Sequence, residues 1–135
     1  MVTVVFACVH NAGRSQMAAA FFNAAADPAK ARAVSAGTQP ADSVHPVVAD
    51  AMREAGIDLS GATPQLLTPA LAGQAQWLIT MGCGEACPVV PGAERDDWAL
   101  ADPAHQPIEL VRLIRDEIQR RVQRFVDSHD MGRTL

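Results

Sequence analysis

The opening segment constrains this chain most. Val2 to Ala7 (VTVVFA) is β-branched and apolar and has the length of a buried strand. It ends at Cys8, passes through VHNAG and reaches Arg14-Ser15, where a helical stretch begins and runs through QMAAAFFNAAA to about Ala26. Ser15 is placed to cap that helix. A buried strand that turns within a few residues into a helix is half of a strand–helix–strand unit, and such units build parallel sheets.

The rest of the chain continues the alternation. Asp27-Pro28 ends the first helix, and Ala31 to Ser35 reads as a short strand closed by Ala36-Gly37. In HPVVADAMREAGIDLS, the residues Val47, Val48, Ala51, Met52 and Ala55 share one helical face, and Gly56 stops the helix. Leu66 to Leu71 fits one helical turn. Trp77 to Met81 (WLITM) reads as a third buried strand. Gly82 to Pro107 is rich in Gly, Pro and Asp and reads as mostly loop; a loop of that length in a compact domain is usually functional. The last segment is an amphipathic helix with Ile108, Val111, Ile114, Ile118, Val122 and Phe125 as its buried stripe. The expected fold is therefore α/β, a parallel sheet covered on both faces, in one domain over residues 1–135. Ligands in such folds bind where strands give way to helices. CVHNAGRS sits at one such point, and WLITMGC ends at another.

Composition narrows the function. A net charge of -4 gives no electrostatic support to a nucleic-acid role. The apolar run Val4 to Val9 is too short for a signal-peptide core or a membrane span, so the expected location is cytoplasmic. The three cysteines, Cys8, Cys83 and Cys87, are an odd count. In a reducing compartment such thiols point to catalysis, redox chemistry or metal binding rather than to structural disulfides.

The loop after Cys8 carries the chemistry. A turn from strand into helix directs backbone N–H groups inward, and the helix N-terminus adds positive potential. A tetrahedral oxyanion suits such a cradle, here formed by Val9, His10, Asn11, Ala12 and Gly13 with Arg14 and Ser15. Gly13 allows a tight turn. Arg14 offers a planar fork of donors to two anion oxygens. Asn11 can bond the loop backbone and hold its shape. Cys8 lies at the base, and the N–H groups, Arg14 and the Ser15 hydroxyl favour its thiolate, the nucleophilic form. A strand-end cysteine alone is more often inert. Cysteine, five residues, then Arg-Ser between a strand and a helix is far more specific.

This pattern resembles the low-molecular-weight protein tyrosine phosphatase fold, whose phosphate loop reads Cys-x5-Arg-Ser. The wording is closer still to the arsenate reductase branch of that fold. CVHNAGRSQMAAAFF, VSAGT, HPVVADAMREAGIDLS, ITMGCGEACPVVPG, DDWALADPA and IRDEIQRRV are similar to that family, in the expected order and over nearly the whole chain. The resemblance implies a four-stranded parallel sheet flanked by helices. It also implies that Asp102, ahead of Pro103, reaches the oxyanion and protonates the leaving oxygen, an acid the chemistry needs because hydroxide leaves poorly. By itself Asp-Pro is a common turn start; the Cys8 cradle shifts the balance towards the acid. Asp96 and Asp97 read as solvated loop charges.

Cys83 and Cys87 separate two activities. A phosphatase needs one nucleophilic cysteine, and water completes its reaction. A reductase must draw two electrons from thiols. Cys83 falls just past a strand end, as Cys8 does, and Cys87 is four residues on, so two thiols on a loop suit a disulfide relay. A Cys-x3-Cys metal site would want further ligands, of which no convincing set exists, and either cysteine could be simply buried. The resemblance implies the order of events: Cys8 attacks arsenate, Cys83 attacks Cys8 as arsenite leaves, and Cys87 moves the disulfide to Cys83–Cys87. A thioredoxin-like partner then reduces it, with no bound cofactor and no metal.

Some features depart from the family pattern. The chain has no tyrosine, and Trp98 is the one aromatic residue close to the Asp-Pro loop, which argues against a phosphotyrosine substrate. Cys-x3-Cys is closer than the usual spacing in thioredoxin-coupled reductases and leaves room for a low-molecular-weight thiol with a glutaredoxin-like partner. One subgroup binds potassium beside the loop through acidic side chains. The corresponding places here are Ala19 and Gln65, with Asn11, Ser35 and Thr63 kept, so weak or no potassium dependence is expected. His10 could tune the thiolate or face solvent. His45, His105 and His129 read as surface residues, Arg120, Arg121 and Arg124 as a solvated helix face, Met17 and Met52 as core, and Trp77 as packed under a helix. The expected protein is a monomeric arsenate reductase, with phosphate or sulfate as competing anions. A phosphatase acting on phosphate monoesters and an oxyanion or thiol-redox sensor are the alternatives built on the same loop.

Overall fold

The computed structural model describes residues 1–82 and 90–133; Cys83 and Cys87 lie outside them. Four strands, β1 (Val2–Cys8), β2 (Ala31–Gly37), β3 (Trp77–Thr80) and β4 (Glu94–Asp97), form one sheet in the order β2-β1-β3-β4. All three pairings are parallel, with Cys8 opposite Gly37 and Ala7 opposite Thr80. Among the described residues four helices accompany the sheet: α1 (Arg14–Ala25), α2 (Pro46–Glu54), α3 (Pro69–Ala72) and α4 (Ile108–Ser128). The strand order reverses between β1 and β3, and Cys8 ends β1 at that switch point, where open α/β sheets bind ligands.

Side-chain alternation along β1 divides the core in two. Val4, Phe6 and Cys8 face α1, α2 and α4, while Val5 and Ala7 face the opposite side with Val34, Leu67, Ala75 and Leu78. The short α3, between Leu67 and Ala75, covers that second side. Phe6 packs edge-on to Phe22 at 6.0 Å and tilted against Trp98 at 5.7 Å, and Phe125 of α4 stands over Trp77 at 5.1 Å. Each fully buried side chain of this size stabilises by roughly 1.5–3 kcal/mol. Because α1 is wedged between sheet and α4, it is buried from Arg14 to Ala19 and again at Phe21 and Phe22. Met17 and Met52 are core residues, as expected. Among the described residues no helix is long and apolar enough to cross a membrane.

Three local expectations change. The fourth strand, ERDD, lies inside the stretch read as loop. All four side chains are exposed, so no apolar pattern announces it; backbone bonds from Glu94 N to Gln76 O and from Trp98 N to Thr80 O hold it. Four charged residues suit an edge strand, where they discourage pairing with another chain. Asp96 and Asp97 are thus strand residues, bonded to Trp98 and to Thr80 respectively. Ala55 is exposed rather than on the buried face of α2, because the helix ends at Glu54. Ser15 is not the N-cap of α1; Gly13 is, and Ser15 lies one residue inside the helix.

Glu54 clasps α2 to α4. Its carboxylate accepts from Arg112 at 2.9 and 2.7 Å and from Arg115 at 3.1 Å. The Arg112 hydrogen bond is the largest influence holding Glu54 down, to about 2, against the usual carboxylate value. The clasp therefore stabilises the fold fully above about pH 4.5 and loses its effect as pH falls towards 2. Both partners are solvent-accessible, so the effect is modest. Glu54→Gln should lower the thermal midpoint by a few degrees at pH 7, and the difference from wild type should vanish in melts recorded near pH 2.

Candidate active site

The loop between β1 and α1 is anchored by its own carbonyls. Those of Cys8, Val9, His10 and Ala12 accept from Thr38, Gln39, Ala41 and His45 N–H at 3.2, 2.8, 2.9 and 3.0 Å. With these carbonyls drawn outward, the loop turns N–H groups towards Cys8, and Asn11 N–H reaches the sulfur at 3.3 Å. The left-handed turn is made by Asn11, at φ 51°, a conformation asparagine tolerates. Gly13 has φ -145° and is needed for a different reason than a tight turn. A Cβ there would stand 2.7 Å from Pro103 Cγ, so the missing side chain lets the Asp-Pro loop close on the cradle. Gly37 does the same for β2, whose end lies against Val9 O and Asn11 N.

Hydrogen-bond polarity orders the groups around the sulfur. Gln65 N–H donates to Asn11 Oδ1 at 2.9 Å, and a backbone N–H can only donate. The other end of the amide, Nδ2, therefore faces Ser15 Oγ at 2.8 Å and donates to it. Ser15 then has its own proton left for Cys8 Sγ, 2.8 Å away. Gln16 Nε2 braces the same amide, at 3.1 Å from Asn11 O and 3.2 Å from Oδ1. Cys8, 2% exposed, thus has the Asn11 N–H and the Ser15 hydroxyl within hydrogen-bond distance of its sulfur.

Arg14 is almost completely buried beside the cradle. It donates to Leu100 O at 3.2 Å, and its other nitrogen lies 3.8 Å from Asp102 Oδ2. Asp102 is half exposed and also accepts from Ala104 N–H at 2.9 Å. It therefore starts a turn and faces Arg14 at once, whereas Asp96 and Asp97 are engaged on β4. His10 Nδ1 donates to Gln39 O at 3.0 Å, tying its ring to the outer segment. His45 and His105 lie 6.3 Å apart at the rim. Burial is the main influence pushing His45 below its usual value, with His105 and His10 adding to it and Asp102 opposing. Trp98 is turned into the core against Phe6 and Phe125 and offers no ring at the rim. His129 packs on Trp77 and Phe125, and Arg120 and Arg121 pair with Glu117 on α4.

Sequence reading placed Cys8, Asn11, Gly13, Arg14, Ser15 and Asp102 here, and the fold brings them together. It missed Gln16, Gly82, the Leu100 carbonyl and the 38–45 backbone, which act through contacts without a side-chain pattern. Among the described residues no cluster of His, Cys, Asp and Glu could hold a metal. At the places considered for potassium, Ala19 is buried and apolar. Gln65 supplies two N–H donors there, its backbone to Asn11 Oδ1 and its Nε2 to Ser35 O at 2.8 Å.

A family model described as low molecular weight phosphotyrosine protein phosphatase matches residues 3–133. A Halobacterium salinarum protein, provisionally described as an arsenate reductase, is 39% identical over 127 residues, covering 91% of this chain and 89% of its own. An arsenate reductase from Bacillus licheniformis is 34% identical over 136 residues, covering 93% and 96%. The solved structure of a thioredoxin-dependent arsenate reductase from Corynebacterium glutamicum superposes with a TM-score of 0.83 at 37% identity. It covers 96% of this chain, which spans 62% of the length of that one.

Two outcomes are expected. Ser15→Ala, which removes one donor from the sulfur, should slow iodoacetamide alkylation of Cys8 at neutral pH by about tenfold with the fold intact. Phosphate affinity measured in potassium and in choline salts of equal ionic strength should agree within about twofold, since Ala19 and Gln65 bring no carboxylate to hold the cation.

Proposed function

The chain belongs to the low molecular weight phosphotyrosine protein phosphatase family, and we propose that within it this protein is an arsenate reductase. The observation that carries the reading is the Cys8 cradle in a chain with two further thiols. Cys83 is the sequence neighbour of Gly82, which lies against Arg14. The names of the Halobacterium, Bacillus and Corynebacterium relatives support the same activity. The burial of Trp98 speaks against a phosphoaryl substrate, because its indole is packed into the core and is not free to stack on one.

The cradle residues Val9 to Ser15 bind arsenate through backbone N–H groups and the Arg14 guanidinium. The Cys8 thiolate attacks arsenic, an S–As bond forms, and one oxygen leaves as water once Asp102 has protonated it. Cys83 thiolate then attacks Cys8 sulfur. The electron pair of the S–As bond passes to arsenic, so arsenic(V) becomes arsenic(III), arsenite leaves, and a Cys8–Cys83 disulfide remains. Cys87 attacks Cys83, freeing the Cys8 thiolate and leaving Cys83–Cys87. A thioredoxin-like dithiol returns the two electrons, and no bound cofactor takes part. Phosphate and sulfate compete because the cradle recognises charge and tetrahedral shape; selection for arsenate comes from the readier reduction of arsenic by thiols. One domain, acting as a monomer in the reducing cytoplasm, suffices for this cycle.

The test is NADPH consumption with arsenate, thioredoxin and thioredoxin reductase. Wild type should turn over repeatedly, and Cys8→Ser, Cys83→Ser and Cys87→Ser should each abolish turnover. After one equivalent of arsenate, mass spectrometry of Cys87→Ser should show a Cys8–Cys83 disulfide; its absence would refute the order of steps. Release of arsenite in a single turnover without sustained turnover would move the donor to a glutaredoxin-type thiol system. Hydrolysis of a phosphate monoester that survives loss of both Cys83 and Cys87, with no arsenite formed, would make the protein a phosphatase.

A further inference from the structure

We propose that Gly82, at the exit of β3, is a positioning residue for Arg14: its bare Cα makes the room in which the guanidinium lies beside the cradle. The backbone just before it is pinned, because Met81 N–H donates to Ala7 O at 2.8 Å, one residue before Cys8. Gly82 itself has φ 95°. A Cβ built there would stand 2.4 Å from Arg14 Nη1, 3.3 Å from Cζ and 3.6 Å from Nη2. The first distance is far inside van der Waals contact, so the guanidinium would have to move by about 1 Å. It lies between Gly82, the Leu100 carbonyl at 3.2 Å and Asp102 at 3.8 Å, with its side chain 9% exposed. Movement away from Gly82 changes its placement against the Asp-Pro loop as well.

The consequence for folding differs from the consequence for binding. The atom that must yield is the far end of a flexible side chain, so the chain can fold around an added methyl group. What it loses is the direction of the donor fork, and bidentate recognition of an oxyanion depends on that direction. Displacements of about 1 Å in positioning groups cost up to ~100-fold. The strained φ is a separate matter, and the structure contains its own control. Gly56 has φ 83°, also in the region that side chains rarely adopt, but a Cβ there meets nothing within 4 Å.

Inorganic phosphate is the probe, and its binding is read by protection of Cys8 from alkylation. Five proteins are compared: wild type, Gly82→Ala, Gly56→Ala, Arg14→Ala and the Gly82→Ala/Arg14→Ala double variant. Gly82→Ala should weaken phosphate binding at least tenfold, and Gly56→Ala should stay within twofold of wild type. In the Arg14→Ala background, Gly82→Ala should cause no further loss, because the group it displaces is gone. The proposal is overturned if folded Gly82→Ala binds phosphate within twofold of wild type, or if it loses the same factor with and without Arg14. Should Gly82→Ala fail to fold, recovery of folding in the double variant supports the contact with Arg14. Failure of both to fold assigns the role to backbone strain and overturns the proposal. Phosphate binding is expected of a reductase and a phosphatase alike, so this result stands apart from the test of arsenate reduction.

Discussion

The orientation of one buried amide sets the rest of this site. Asn11 Oδ1 must face Gln65 N–H, because only a donor is available there. Its Nδ2 must then face Ser15, which leaves the Ser15 hydroxyl its own proton to offer to Cys8. These groups come from the end of β1, the loop after it, the first turn of α1 and a segment beyond α2. The donor environment of the sulfur therefore depends on a backbone group 54 residues from Asn11 in sequence. Such a buried chain of bonds is costly if half made and specific if complete, and no buried side-chain polar atom among the described residues is left without a partner.

The charges are arranged to exchange partners. Arg14 is held in a dry slot, while Asp102 faces it across 3.8 Å with half its surface in water. A pair this exposed on one side is weakly bound. An incoming oxyanion can take the guanidinium without breaking a strong native contact, and the Asp102 carboxyl stays at the mouth. The missing Cβ of Gly13 lets Pro103 close against the loop, and the missing Cβ of Gly82 leaves space for the guanidinium. Two glycines thus govern distance between elements.

A cradle of this kind recognises a tetrahedral anion and does not by itself choose its fate, since folds host many chemistries. The choice depends on what surrounds it. Here the rim carries imidazoles, Trp98 is committed to the core between Phe6 and Phe125, and the residue after Gly82 is a second thiol. A small inorganic substrate and thiol chemistry fit that setting better than an aromatic ester does.

Much of this was legible in the order of residues. Val2–Cys8 and Trp77–Thr80 are continuous apolar runs, and Ile108–Ser128 repeats its buried stripe at helical spacing, so hydrophobic period alone reveals them. Cys8, Arg14 and Ser15 were visible as a cysteine, five residues and Arg-Ser between a strand and a helix, and Asp102 through the family resemblance. Tertiary structure decided the remainder. It made ERDD a strand, placed Gly13 as the N-cap and Asn11 in the left-handed turn, and gave the Ser15 hydroxyl to the sulfur instead of the helix end. It also made Thr38 to His45 the scaffold of the loop and set Arg14 against Gly82. Each of these depends on backbone hydrogen bonds or on the absence of a side chain between distant segments. Such contacts leave no periodicity in the chain; they exist only once the strands have paired.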